Sequence, residues 1–266
     1  MARQFGAVHR VGTGSALPTQ AVQGEVGFMR FSEAAYKALL WTCALASASV
    51  FAATKAGVSP QSNWTLDNVL KQMDAQAATF RSLSADLERT KVTVVVNDKS
   101  TETGKILVRS DDKMRIEVTD PDPRTILRDG DNFYIYNPKI HRVEEYNLGN
   151  KKSVVDQFLL LGFGTSGSSL KESYTVSMQG EQTLDGAKVV LLELLPKTDE
   201  VKKQLSKIQL WLDETTWLPV QQQFFETGSG DYFIIRYRNI TRNVHISDND
   251  FKPHWPRGTT RVQPQA

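Results

Sequence analysis

The chain has 266 residues, with 32 Lys plus Arg against 30 Asp plus Glu and a formal net charge of +2. Its 40% apolar and 23% charged residues describe an ordinary globular composition, not a collagen-like, low-complexity or polytopic membrane chain. The even charge balance argues against a nucleic-acid binder, which needs a basic stripe to neutralise phosphates. The single Cys excludes a disulfide framework within a monomer and a zinc site built on several thiolates.

From Met29 the chain reads MRFSEAAYKALLWTCALASASVFAATKAG. Arg30 and Lys37 precede an apolar run from Ala38 to Phe51, and the small residues Ala52 and Ala53 follow. That is the charged n-region, short h-region and V-x-A cleavage pattern of a secretory signal. The run falls short of the ~20 residues that a membrane-spanning helix needs. Cleavage near Ala52 is expected, leaving an exported chain that is close to neutral and free of Cys. Thr42 and Trp41 ahead of Cys43 fit a lipid-modified cysteine poorly, so the product is expected to be soluble. Residues 1–28 have no signal character and read as an extension upstream of a start at Met29, the other reading being a cytoplasmic tail before an uncleaved anchor.

After a linker over 53–64 with Pro60, the residues Leu66, Val69, Leu70, Met73, Ala77 and Phe80 recur at spacings of three and four. They predict an amphipathic helix with Thr65 as N-cap. The period then changes to short alternating runs at 82–96, 102–110, 113–119, 124–129, 132–137, 142–146, 174–180, 187–196, 206–213, 218–227 and 230–239. Turn signals such as Asn97-Asp98, Asp111-Asp112, Asp129-Gly130 and Asp185-Gly186 separate them. The expected fold is α+β: about eleven strands in one antiparallel meander that forms a single strongly curved sheet, as one domain over 65–262. Ser153 to Leu161 interrupts the strands with Val154, Val155, Phe158, Leu159 and Leu161 in a short helical register, read as a flap.

Gly162, Gly164 and Gly167 then make a formal G-x-G-x-x-G. They follow a helix-like segment and no βαβ unit surrounds them, so a flexible hinge is the better reading than a dinucleotide site. No cofactor is expected. His141, His245 and His254 stand apart with no metal-ligand spacing, and no G-x-S-x-G elbow occurs. Glu144-Glu145 and Asp111-Asp112 lie in turns or on opposite faces of a strand, and read as solvated surface. A binding protein is expected, not an enzyme.

The strands do carry an apolar face. Alternation groups Ile106 with Val108, Met114 with Ile116 and Val118, and Ile208 with Leu210 and Leu212. It also groups Val190, Leu192 and Leu194, and Phe233 with Ile235 and Tyr237. One helix and one flap are little cover for such a sheet. An ordinary filled core and an open hydrophobic cavity are both compatible with these residues.

The stretch DGDNFYIYNPKIHRVEEY, from Asp129 to Tyr146, resembles the D-G-x-x-x-W-x-Y-x-P-x-x-x-x-V segment of the periplasmic outer-membrane lipoprotein carrier proteins, the LolA-like fold. Gly104, Lys113 to Ile116 (KMRI against the family's K-F-R-W) and Pro121 precede it at matching intervals. Asp250 to Pro253 and Pro256 to Val262 resemble the family's closing F-x-F-x-x-P-x-G-x-x-V. The resemblance spans the chain from the helix near Thr65 to Val262. It implies a half-open barrel with helices as a lid over a hydrophobic cavity that holds lipoprotein acyl chains in the periplasm. The implied lining is Ile106, Val108, Met114, Ile116, Leu192, Leu194, Ile208, Leu210, Leu212, Phe233 and Ile235, with Val154, Phe158 and Leu159 in the lid. The implied partners are an acylated lipoprotein or other lipid, an inner-membrane release complex and an outer-membrane acceptor, with the chain itself a monomer. A periplasmic lipid- or lipoprotein-sensing regulatory module is the alternative. In the family an Arg-Pro pair before K-F-R-W ties lid to sheet. Here Ser110 and Asp111 occupy those positions, and Arg109 falls one residue early, on the opposite face by alternation.

Overall fold

Thr65 opens the first helix, α1 (Leu66–Thr79), as the cap pattern predicts: its backbone is extended and its hydroxyl accepts the Asn68 N–H at 3.3 Å. Phe80 returns to extended backbone and ends the helix, which buries Val69, Leu70 and Met73 along one stripe. The computed structural model describes residues 63–149 and 161–264. The signal-like segment and the expected lid residues Val154, Phe158 and Leu159 lie outside the described residues.

Six strands follow α1: β1 (Ser82–Thr93), β2 (Asp98–Arg109), β3 (Lys113–Asp120), β4 (Arg124–Asp129), β5 (Asn132–Asn137) and β6 (Arg142–Asn147). After α2 (Gly167–Ser173) come β7 (Tyr174–Leu184), β8 (Ala187–Pro196), a one-turn α3 (Asp199–Lys202), β9 (Leu205–Asp213), β10 (Pro219–Glu226), β11 (Tyr232–Arg242) and β12 (Thr260–Val262). The turn residues named from sequence do the work expected of them: Asn97, Asp112, Gly130, Asp185 and Gly186 all take positive φ between strands.

Among the described residues twelve strands form one open sheet in the order β12-β6-β5-β4-β3-β2-β1-β11-β10-β9-β8-β7. This corrects the single meander expected from sequence. The sheet is two meanders, β1 to β6 and β7 to β11, joined where β1 pairs antiparallel with β11, Leu87 opposite Tyr237. Alternation reports which residues form strands, but a pairing between segments this distant in the chain leaves no local signal. The consequence is large: β7 is one edge of the sheet, whereas β6 lies beside the other.

β12, which was not expected, pairs parallel with β6 through Thr260–Arg142, Arg261–Val143 and Val262–Glu144. Three residues are too few to show a period. The segment leading to it packs on one sheet face, where Leu127, Ile246 and Phe251 form a core with Leu107, Tyr134, Val244 and Trp255. Trp255 stacks on Tyr136 with ring centroids 4.9 Å apart. This C-terminal face leaves the opposite face to α1, α2 and the residues just before α2.

Candidate functional site

Cross-strand partners share a sheet face, so the register decides where the apolar residues expected from sequence point. Ile106 pairs with Ile116 and Val108 with Met114 across β2 and β3. Leu192 pairs with Leu210 and Leu194 with Ile208 across β8 and β9. Ile208 continues through Phe224 to Phe233, and Leu210 through Gln222 to Ile235. Phe233 lies opposite Lys91 on β1, and Leu83 opposite Val108 on β2, which links the two halves. Leu212, opposite Val190, completes the set. All of these residues therefore share one face, the one that carries the helices. All are buried except Ile116 and Lys91, which are partly exposed.

A cavity of about 620 Å³ opens on this side, between the end of α1, the β2–β3 turn and α2. Its apolar part is lined by Val108, Leu161, Phe163, Leu170 and Tyr174, and a polar part of similar extent includes Arg81, Arg109, Ser110, Asp112 and Ser169. Burial pushes the Tyr174 phenol up, so it stays a neutral hydroxyl at the cavity wall. Of the residues expected to line a cavity, Val108 does so; the rest carry the same face onward and lie outside this wall. Leu161, Phe163, Leu170 and Tyr174 were not in the expected set, although Leu170 follows a Ser166-x-x-Ser169 pattern that marks a helix start.

Gly162 to Gly167, expected to be a hinge, follow directly on Leu161, which is fastened to the sheet. Gln222, buried on the helix face, donates from Nε2 to the Leu161 carbonyl at 2.5 Å and accepts the Tyr237 hydroxyl at 3.0 Å on Oε1. The Phe163 ring meets Tyr237 edge-on at 4.8 Å. Burial raises the Tyr237 phenol well above its usual range, which keeps its proton available for Gln222. One inward glutamine thus ties the end of the β6–β7 connection to the middle of the sheet.

The glycines answer to packing. A side chain on Gly164, at φ +74, would sit 2.8 Å from the Phe80 ring, and one on Gly167 would sit 2.6 Å from the Leu70 carbonyl oxygen. Gly167 also opens α2, where Ser166 caps the Ser169 N–H at 3.1 Å. Close approach to Pro219, Phe80 and Leu70 accounts for the three glycines of this G-x-G-x-x-G.

Arg109 reaches the cavity rim, but its guanidinium is held on the C-terminal face, as alternation predicts. Its guanidinium bonds Asp111 at 2.8 Å through two nitrogens, Asp248, and the Ile246 carbonyl at 3.0 Å, and sits 5.1 Å from the Phe251 ring centre. Both carboxylates are held below their usual range by the bond to Arg109. Asp111 is therefore an ion-pair partner, not a freely solvated acid. Glu144, also expected to be free, accepts the Tyr146 hydroxyl at 2.7 Å and pairs with Arg142 at 2.9 Å. Ser110 lines the cavity, and its N–H donates to the Arg81 carbonyl at 2.9 Å.

A second charged cluster sits on the helix face. Glu102 bonds Arg124 at 2.8 and 2.6 Å and Arg89 at 3.2 Å, and Arg89 lies 4.8 Å from the Phe233 ring centre. Burial raises the Glu102 carboxyl, but the two arginines outweigh it and hold the group below its usual value. The cluster ties β1, β2 and the start of β4 where register pairing between β2 and β3 has ended.

Among solved structures, the fold is similar to an uncharacterized conserved protein from Thermus thermophilus at a TM-score of 0.50 and 8% identity, covering 74% of this chain and 98% of that one. It is also similar to a LolA superfamily protein from Nitrosomonas europaea at a TM-score of 0.38 and 13% identity, covering 71% and 98%. At these identities the likeness is one of fold alone. In sequence, the chain is 27% identical over 203 residues to an uncharacterized protein of Methanocaldococcus jannaschii, covering 76% of this chain and 55% of that protein. The chain spans about half the length of the curated relative it matches. A family model with the description "-like: Uncharacterized protein" matches residues 110–246, from the cavity edge through β11, and the chain belongs to that family.

Proposed function

We propose that this protein is an exported, periplasmic carrier that holds the acyl chains of a lipid or lipoprotein against the helix face of its sheet. The observation that carries this reading is the cavity of about 620 Å³. Its size lies within the roughly 300–1,000 Å³ range of small-molecule sites. Its lining is mixed, an apolar part around Val108, Leu161, Phe163 and Leu170 and a polar part with hydroxyls, Arg81, Arg109 and Asp112, which suits a ligand with a hydrocarbon body and a polar head. Each buried methylene contributes about 0.8 kcal/mol, so roughly ten of them correspond to micromolar affinity. The apolar set from Ile106 to Ile235 extends the same face and is the surface a longer chain would use once the cover moves. A release complex on the inner membrane and an acceptor on the outer membrane are the corresponding partners. Binding, not catalysis, is the activity assigned.

Titration of the purified protein with a fluorescent fatty acid tests the reading. Saturation near one site is expected. Ser110→Trp, at an exposed position on the cavity edge, should fill the entrance and weaken binding by about tenfold, or ~1.4 kcal/mol. Folded wild-type protein that takes up no probe, or a Ser110→Trp variant that binds it unchanged, would refute the assignment.

A further inference from the structure

The charged groups around the cavity are not equivalent. Arg81, Arg109 and Asp112 all line it. Arg109 is neutralised on the C-terminal face by Asp111 and Asp248. Asp112 is held by the fully buried Arg128, whose Nη2 lies 3.7 Å from its carboxylate. Of the three, only Arg81 has no acidic partner among the described residues. Its Nη1 donates to the main-chain carbonyls of Phe80 at 2.8 Å and Ala78 at 3.4 Å, and its Nε and Nη2 donate to no described group.

The fold fixes where this charge sits. Ala78 and Phe80 are at the end of α1, whose last carbonyls form the negative end of the helix dipole and attract a cation. That dipole is equivalent to about half an elementary charge, so it orients the guanidinium without cancelling it. The main chain of Arg81 is held on both sides: its N–H donates to the Asn243 side chain at 2.9 Å, and its carbonyl accepts the Ser110 N–H at 2.9 Å. The guanidinium is thus kept beside Phe80, itself part of the lining, with donors still to offer. The hydroxyls of Ser110 and Ser173 line the same cavity and have no hydrogen-bond partner among the described residues. They can add neutral donors to a group rich in acceptors.

An amphiphile whose chain lies along Val108, Leu161, Phe163 and Leu170 brings its head to this rim. An uncharged head would leave Arg81 as water leaves it, whereas an anionic head would pair with it through charge-assisted bonds. We propose that the cavity selects amphiphiles with an anionic head, a carboxylate or a phosphate, and that Arg81 sets this selection. This inference rests on the carrier reading and narrows its cargo from any acyl chain to one that carries a negative charge beside the chain. Because Arg81 is exposed, the pair is screened by solvent, and the preference should be about fivefold in affinity at low salt.

The test compares ligands that share one palmitoyl chain: palmitate, palmitoyl lysophosphatidylglycerol and uncharged monopalmitin. Each displaces the uncharged dye Nile red from the purified protein, below the concentration at which it forms micelles. At least one anionic ligand should bind about fivefold more tightly than monopalmitin, and the tighter of the two identifies the head as carboxylate or phosphate. The margin should shrink as salt is raised toward about 0.5 M. Arg81→Gln should bring the anionic-to-neutral ratio close to one, and Arg81→Lys, which keeps the charge, should retain the preference. Equal affinity of wild type for all three ligands, or a preference that persists in Arg81→Gln, would overturn the proposal and leave the carrier reading intact. Binding of none of the three would overturn both.

Discussion

Replacing Gln222 with leucine isolates the contribution of the contact that fastens the β6–β7 connection to the sheet. The side chains have similar volume, so packing on the helix face is largely kept and the loss is polar. The Leu161 carbonyl loses a donor at 2.5 Å and the Tyr237 hydroxyl loses an acceptor at 3.0 Å. A buried group left without its partner costs about 1–3 kcal/mol, so two such losses give roughly 2–4 kcal/mol after the leucine's own apolar gain. Urea unfolding should show a lower midpoint with unchanged slope, because the surface exposed on unfolding is the same. Tyr237→Phe removes only one of the two bonds and should cost about 1 kcal/mol. Amide exchange at Phe163 and Thr165 should rise in Gln222→Leu more than exchange within β9. A Gln222→Leu variant within about 0.5 kcal/mol of wild type, with unchanged exchange at 161–166, would show that apolar packing holds this segment and that the bonds do not.

Asp111→Asn should lower stability at neutral pH by less than about 1 kcal/mol, because the pair with Arg109 is half-exposed and screened. Arg109 depresses the folded Asp111 pKa, so the contribution is present above the unfolded value of ~3.9 and fades as pH falls through the lower folded value. Paired urea titrations of variant and wild type should therefore converge in strong acid; a gap that widens there would contradict the assignment. Gly167→Ala should destabilise by about 1–3 kcal/mol, since its Cβ would lie 2.6 Å from the Leu70 carbonyl oxygen and α2 must withdraw from α1. Differential scanning calorimetry reads this directly, and an unchanged melting temperature would mean that the two helices are not in close contact.

Local chemistry explains what was legible in the sequence. Thr65 and the spacing of Leu66 to Phe80 marked α1 because capping and a 3.6-residue period are properties of a short window. The alternation of Ile106, Val108, Met114, Ile116 and Leu210 marked strands with one apolar face for the same reason, and it put Arg109 on the other face. The same local rules were weakest on Gly162 to Gly167, where glycines that suggested a hinge are required for close approach to Phe80 and Leu70. Gln222 was overlooked inside the run Gln221-Gln222-Gln223, although it shares strand parity with Phe224 and so points inward. A glutamine on the apolar side of a strand is a signal of a buried polar tie.

By itself, then, the sequence determined α1, the strands β1 to β11, the apolar face and the resemblance that made a lipid carrier worth testing. Only the tertiary structure decided that β1 joins β11, that β6 and β7 lie toward opposite edges, and that Leu161 sits on the helix face against Gln222. Those are contacts between residues far apart in the chain, whose energy depends on the simultaneous placement of many segments and leaves no periodic trace in any one of them. The cavity belongs to the same class: its wall joins Val108 of β2 to Leu170 of α2 and Tyr174 of β7, and it exists only because those elements meet.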